Sequence, residues 1–228
     1  RRCTGHPGQS FGYYPSAMIR HGLRRIGNIP FEINRRELYI YSGYRKKEDK
    51  PDEAIEALID ECLAELKEVA EPKAVLLTEE IHRTSDKDFS IGDLSISSEA
   101  LAKNLLGCKD AILVGATLST SVDLLLHRYS KLAITKSVLM QASAAAYIEA
   151  YLDAIMVLVR EELKPLSLTL RPRFSPGFAD FTTEYQAAFL ETINARRYLG
   201  ISLSGDSDML VPTKSVTAVM GITGDLHA

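Results

Sequence analysis

One stretch narrows the folds open to this chain more than any other: DAILVGATLS, residues 110–119. It is an apolar run of strand length that ends at Gly115, Thr117 and Ser119, and a strand apolar on both faces belongs in the middle of a sheet. Two helical patterns follow it, about Ser121–Tyr129 and Ala133–Glu162. The second carries Ala142, Ser143, Ala144, Ala145 and Ala146, small enough to let neighbouring backbones approach closely, and is expected to be the spine of the domain.

The remaining elements fall around this pair. Ile55, Leu58, Ile59, Cys62, Leu66 and Val69 recur at helical spacing, which predicts a helix over Pro51–Ala70 with Asp49 as N-cap and Pro51 in its first turn. KAVLLTEEI, Lys73–Ile81, reads as a strand, and FSIGDLSI as a second strand bulged at Gly92. SSEALAKNLLG reads as a short helix capped by Ser97 or Ser98 and stopped by Gly107. In TTEYQAAFLETINARRYLG, Thr183 and Gln186 form a capping-box pattern and Gly200 a stop; Leu203, MLVP and SVTAVMGIT supply the last strands. Strands separated by pairs of helices, without the regular alternation of a parallel sheet, place the chain in the α+β class, with a mainly antiparallel twisted sheet and flanking helices.

A chain of 228 residues, 46% hydrophobic and 25% charged, is ordinary for a globular protein and buries roughly 70–75% of its unfolded surface. Residues 31–228 are read as one domain. Residues 1–30 hold five arginines and no acid, and RRCTGHPGQSFGYYPS is rich in Gly, Pro and Ser without periodicity. They are expected to be a basic, poorly ordered extension and not an arm for nucleic acid. Cys3, Cys62 and Cys108 are an odd number without CxxC spacing, which fits reduced thiols in a cytoplasmic protein. Lys136, Glu149 and Asp153 interrupt the most apolar segment, Ala133–Val159, and favour a buried helix over a membrane span. The N-terminus lacks a signal-peptide pattern.

Between two helical patterns lies RPRFSPGFADF, residues 171–181. Pro176-Gly177 has the form of a type II turn, in which glycine takes the positive φ and leaves the backbone uncovered. The loop runs toward a helix start near Thr183, a place that suits an anion. Arg173 adds a planar charged fork for a carboxylate, and Phe174 and Phe178 offer faces on which a purine can stack. The same residues also suit a plain connector, with Arg173 capping carbonyls or pairing with an acid such as Asp180.

From Gly107 to Gly221, about half the chain, the sequence resembles the activation domain of cobalamin-dependent methionine synthase, the module that binds S-adenosylmethionine. The likeness is carried by DAILVGATLS, AAAYIEAYLDA, RFSPGF, Gln186, GISL and MLVPTKSV, in that order. The N-terminal half is more similar to short, free-standing relatives of that module. The family's loop motif is RxxxGY, which implies that Arg173 holds the methionyl carboxylate while Ser175, Pro176, Gly177 and Phe178 supply backbone and an aromatic face. Here Phe178 replaces the tyrosine. The family's acidic contact lies in a segment containing tryptophan; this chain has no Trp, so the acid is not placed.

The resemblance further implies an activation module alone, with cobalamin on a partner methyltransferase and the electron supplied by a flavodoxin-like or ferredoxin-like donor. Nothing resembles a cobalamin, homocysteine-zinc or folate site, and the module would be a component of methionine synthase, not a complete enzyme. No side chain is required to act as a catalytic acid or base. The competing reading is an interaction module that keeps the fold without the ligand. His82 with Glu79, Glu80 and Asp86 makes a poor metal set, His127 reads as a helix-face residue, and GDSD at 205–208 is explained by turn chemistry. Ser119, Ser121 and Asp123 lack a GxSxG elbow.

Overall fold

The computed structural model describes residues 20–46, 48–205 and 207–224. At its centre is β5, Asp110–Thr117, every residue of which is buried, as a strand apolar on both faces requires. It pairs antiparallel with β2, Lys73–Arg83, on one side and β9, Ser215–Thr223, on the other. Outward from β2 come β3, Asp88–Ile91, and β4, Leu94–Ser97; outward from β9 comes β6, Thr169–Leu170. All these pairings are antiparallel, so the α+β class with a mainly antiparallel sheet holds. Gly92, expected to mark a bulge, instead sits at φ +56 in the two-residue turn that joins β3 to β4. A positive φ there costs glycine nothing and closes a tight hairpin.

Period-two alternation splits β5 between two cores. Ile112, Val114 and Ala116 face α1 (Arg35–Tyr41), α2 (Glu53–Val69), α4 (Thr120–Leu132) and α5 (Ile134–Leu163). Ala111 and Leu113 face α3 (Glu99–Asn104), α6 (Gln186–Thr192) and α7 (Ala195–Leu199). The second layer lies very close to the sheet at Gly115, where a Cβ would stand 2.5 Å from Ile193 Cδ1. The helix α5 passes the test of length and apolarity for a membrane span, yet 67% of its most apolar window is buried inside the fold. Most of that window is used in packing, while Ile134, Val138 and Val157 stay exposed.

Several boundaries differ from expectation for local reasons. Asp52, not Asp49, caps α2, its carboxylate accepting from Ile55 N at 2.9 Å. The helix expected from Thr183 to Gly200 is broken into a 3-10 turn at Thr183–Tyr185, then α6 and α7, because Asn194 adopts a left-handed conformation. No capping box forms: Thr183 Oγ1 donates to Asp208 and Gln186 Oε1 accepts from Thr217. The largest difference is at the N-terminus. Residues 1–19 lie outside the described residues, but Gly22–Ile26, placed by composition in a basic extension, form β1, paired with the first half of β2 from Gly22↔Thr78 to Ile26↔Ala74. Ile26 is buried, and the fully buried Tyr151 donates its hydroxyl to the Gly27 carbonyl at 2.7 Å, tying β1 to α5.

Candidate ligand-binding site

The 171–181 loop continues the edge of the sheet beyond β6. Arg171 N donates to Gly221 O at 2.8 Å, and Phe174 exchanges two hydrogen bonds with Val219 at 3.0 and 2.8 Å. Strand-like alternation therefore turns Arg173 and Phe174 to opposite sides. Phe174 enters the second core beside Phe181 and Phe189. Arg173 turns toward α5, where its Nη2 donates to Glu149 Oε2 at 2.9 Å and to Asp153 Oδ1 at 3.0 Å. Glu149 and Asp153 are four residues apart, hence on one helix face.

The rest of the loop is fixed from within. Phe178 N donates to Ser175 O at 3.2 Å with Gly177 at φ +96, the type II turn that Pro176-Gly177 announced. Gly177 N, however, donates to Phe181 O at 2.7 Å, and Phe181 N to Phe178 O at 3.1 Å. The uncovered backbone expected at Gly177 is thus closed by the loop itself. Nor does a helix terminus receive an anion here, since the chain enters a 3-10 turn followed by a seven-residue helix. The charged donors beside the loop are side chains, Arg173 and Arg160, and not a helix terminus.

Asp180, one partner considered for Arg173, does something else. It caps α3, accepting from Ser98 Oγ at 2.6 Å, Glu99 N at 2.6 Å and Ala100 N at 3.2 Å. The bond from Ser98, with those from the backbone, holds its carboxyl below the usual range. The loop is consequently pinned to β9 at one end and to α3 at the other.

Arg173 opens on a groove of about 720 Å³ lined by Glu149, Asp153, Met156, Arg160, Ser175 and Val216, among others. Arg173 and Ser175 line it; Pro176, Gly177 and Phe178 do not. Phe178 lies beyond the turn, 65% exposed, edge-on to Phe174 with ring centroids 5.3 Å apart. One face of its ring system is open to solvent. Both bonds of Arg173 to these acids use Nη2, so among the described residues the N–H groups of Nη1, at the free end of the guanidinium, have no partner.

Sequence reasoning missed Glu149, Asp153 and Tyr41. The two acids counted only as interruptions of an apolar segment, although an i, i+4 acid pair on an Ala-rich helix is a signal for a shared cation. Tyr41 ends α1 near them; burial, with Glu149 next, pushes its phenol above the ordinary value. Thr183 and Asp208 are joined by a 3.1 Å bond, while Asp206 of the GDSD turn lies outside the described residues. Among the described residues no three His, Cys, Asp or Glu side chains are grouped to hold a metal ion.

No family profile and no curated protein matches this sequence. Among solved structures, the crystal structure of the MetH reactivation domain bound to AdoHcy superposes with a TM-score of 0.70, over 98% of this chain and 85% of that one, at 14% identity. With residues so different and the path of the chain so similar, what is shared is architecture: this protein has the fold of the MetH reactivation domain.

Proposed function

We propose that this chain binds S-adenosylmethionine in the groove between the 171–181 loop and α5, and supports reductive methylation of cobalamin carried by a partner methyltransferase. The observation that carries the reading is Arg173, held by Glu149 and Asp153 at the mouth of a groove with unused N–H groups, on a fold whose solved counterpart binds AdoHcy.

The arrangement suits a zwitterion with a sulfonium. Arg173 takes the methionyl carboxylate through Nη1, the free end of its guanidinium, while Glu149 and Asp153 give the ammonium and sulfonium charges an opposite partner. Ser175 lines the path, and the turn through Pro176 and Gly177 leads to the exposed ring of Phe178, on which adenine stacks. When bound, S-adenosylmethionine supplies a methyl group on a thioether leaving group to the reduced cobalt of the partner's cobalamin. This chain's residues bind, orient and exclude water; none is needed as an acid or base. A flavodoxin-like or ferredoxin-like protein supplies the electron. The buried thiols of Cys62 and Cys108 support a reducing, cytoplasmic setting.

One observation favours the competing reading, an interaction module without ligand: Arg173 already has two acidic partners inside the chain. Calorimetric titration of the protein with S-adenosylmethionine decides. Saturable binding at micromolar to submillimolar ligand that Arg173→Ala removes supports the proposal, and absence of heat at millimolar ligand overturns it. A second assay follows the cobalamin spectrum of an oxidised, truncated methyltransferase with ligand and electron donor. Reactivation that proceeds equally without this protein refutes the partner role.

A further inference from the structure

A second cavity, of about 550 Å³, lies between β1 and the C-terminal end of α5. Glu162 on its rim is nine residues past Asp153, about 14 Å farther along the helix. The two sites share no lining residue. Leu76, Ile112 and Ile222 of the sheet and Val159 and Leu163 of α5 make its walls apolar, whereas its rim carries Arg20, His21 and Arg24. Ligand sites in proteins combine this size, about 300–1,000 Å³, with apolar walls and a few convergent polar groups.

The rim charges are not equivalent. Arg24 is paired with Glu162 at 2.5 Å, whereas Arg20 makes no ion pair among the described residues. His21 is held by Nε2 against Asp110 Oδ1 at 2.8 Å, and its Nδ1 has no partner among the described residues. Asp110 itself is fully buried, and its second oxygen, Oδ2, has no hydrogen-bond partner among the described residues. A buried carboxylate with an orphan oxygen is costly. What Asp110 provides is a fixed imidazole at the mouth of an apolar cavity, in the way a carboxylate behind a histidine sets ring orientation at many binding sites.

We propose that this cavity binds a small amphipathic monocarboxylate, its acid group on Arg20 beside the fixed His21 ring and its apolar body against Leu76, Ile112 and Ile222. Charge and shape select that class. A cation meets Arg20 and Arg24 at the entrance, and a neutral apolar molecule leaves Arg20 without an ion-pair partner among the described residues. Of the two arginines at the rim, Arg20 is the one without an ion pair among the described residues, which matches one negative charge and not the two of a phosphate monoester.

The test is calorimetry on the full chain with octanoate, octanol and octylamine at one salt concentration. Octanoate is expected to bind at a single site, octanol about tenfold or more weakly, the loss of about one charged hydrogen bond, and octylamine not at all. Arg20→Glu, at an exposed position that leaves the fold intact, should weaken octanoate by about tenfold. Leu23→Trp, at a wall residue 36% exposed, should fill the cavity and abolish binding, while Arg173→Ala leaves it unchanged. Equal affinity for octanol and octanoate, no saturable heat with octanoate, or octanoate binding indifferent to Arg20→Glu overturns the proposal. Loss of octanoate binding in Arg173→Ala does the same, by relocating the carboxylate to the other groove. Since the titrations use different ligands and variants, failure of the S-adenosylmethionine reading leaves this result legible.

Discussion

Three charges interrupt the apolar run of α5 before Val159, and they are used in two opposite ways. Near its start, Lys136 donates to Glu61 at 3.1 Å and Glu65 at 2.8 Å, both on α2, and its ammonium lies 4.8 Å from the ring centre of Tyr129 on α4. Tyr129 also donates to Glu65, at 2.7 Å. Every partner belongs to a packed helix, so the cluster is a closed staple joining α2, α4 and α5. Midway along, Glu149 and Asp153 make the mirror arrangement, two acids on one cation, but the cation is Arg173 from a loop and the cluster borders a groove. The chemistry is alike in both places. The difference lies in whether any donor is left over and whether there is room beside it, which is why ligand binding is proposed at one cluster and not at the other.

The sharpest way to break this comparison is Arg173→Ala. Its partners are partly exposed, so unfolding free energy should change by less than about 1 kcal/mol. Affinity for S-adenosylmethionine should fall by about ten- to a hundredfold, the worth of a charged hydrogen bond or two. Calorimetry and thermal unfolding on the same preparation measure both. A large stability loss with unchanged binding would make the second cluster a staple as well.

Lys136→Met should behave in reverse, with a stability loss of about 1 kcal/mol for a small half-exposed network and no change in ligand affinity. The aliphatic stem of methionine keeps the packing, so the loss reports the ion pairs. A drop in affinity would show that the two ends of α5 are coupled.

The contrast between the clusters also marks what the sequence could carry. DAILVGATLS made the central strand legible because double-sided burial leaves a continuous apolar run, and the Ala-rich spine was legible from its period. The turn at Gly177 could be read because Pro-Gly has few uses in one short loop. The acids opposite Arg173 could not, since Glu149 and Asp153 are 24 and 20 residues from it and pairing across that separation is a tertiary fact. β1 was missed for another reason: GLRRI has the weak alternation of a strand with mostly exposed residues, and an arginine-rich, acid-free composition outweighed it. Asn194, which breaks the last helix, is ordinary in a helical pattern until Ile193 has to pack against Gly115.

A smaller effect is expected from Phe178→Tyr, which restores the aromatic residue of the resembled family. A hydrogen bond is worth about 0.5–1.5 kcal/mol net, but Phe178 is 65% exposed and the new hydroxyl keeps its water, so the gain belongs at the low end, about twofold in affinity. Tightening well beyond that would mean the ring turns into the groove when ligand binds. Weakening would mean the face, and not the edge, of Phe178 contacts adenine with no room for an oxygen.

The smallest effect concerns pH and separates the clusters by their titration. Burial alone would push the Glu65 carboxyl up, but the bonds from Lys136 and Tyr129 outweigh it and hold the group below its ordinary value. A carboxylate depressed in the folded state adds stability above its unfolded value, about 4.3, and that contribution disappears as pH falls through the lower folded value. In Lys136→Met the principal cause of the depression is gone. The stability difference between wild type and Lys136→Met should therefore be constant from pH 7 down to about 5 and shrink below about 4.3, as both proteins come to hold a protonated Glu65. Denaturant unfolding at a series of pH values measures it. A difference that persists undiminished in acid would assign the loss to packing of the lysine stem against Tyr129, and the staple would then be apolar contact and not charge.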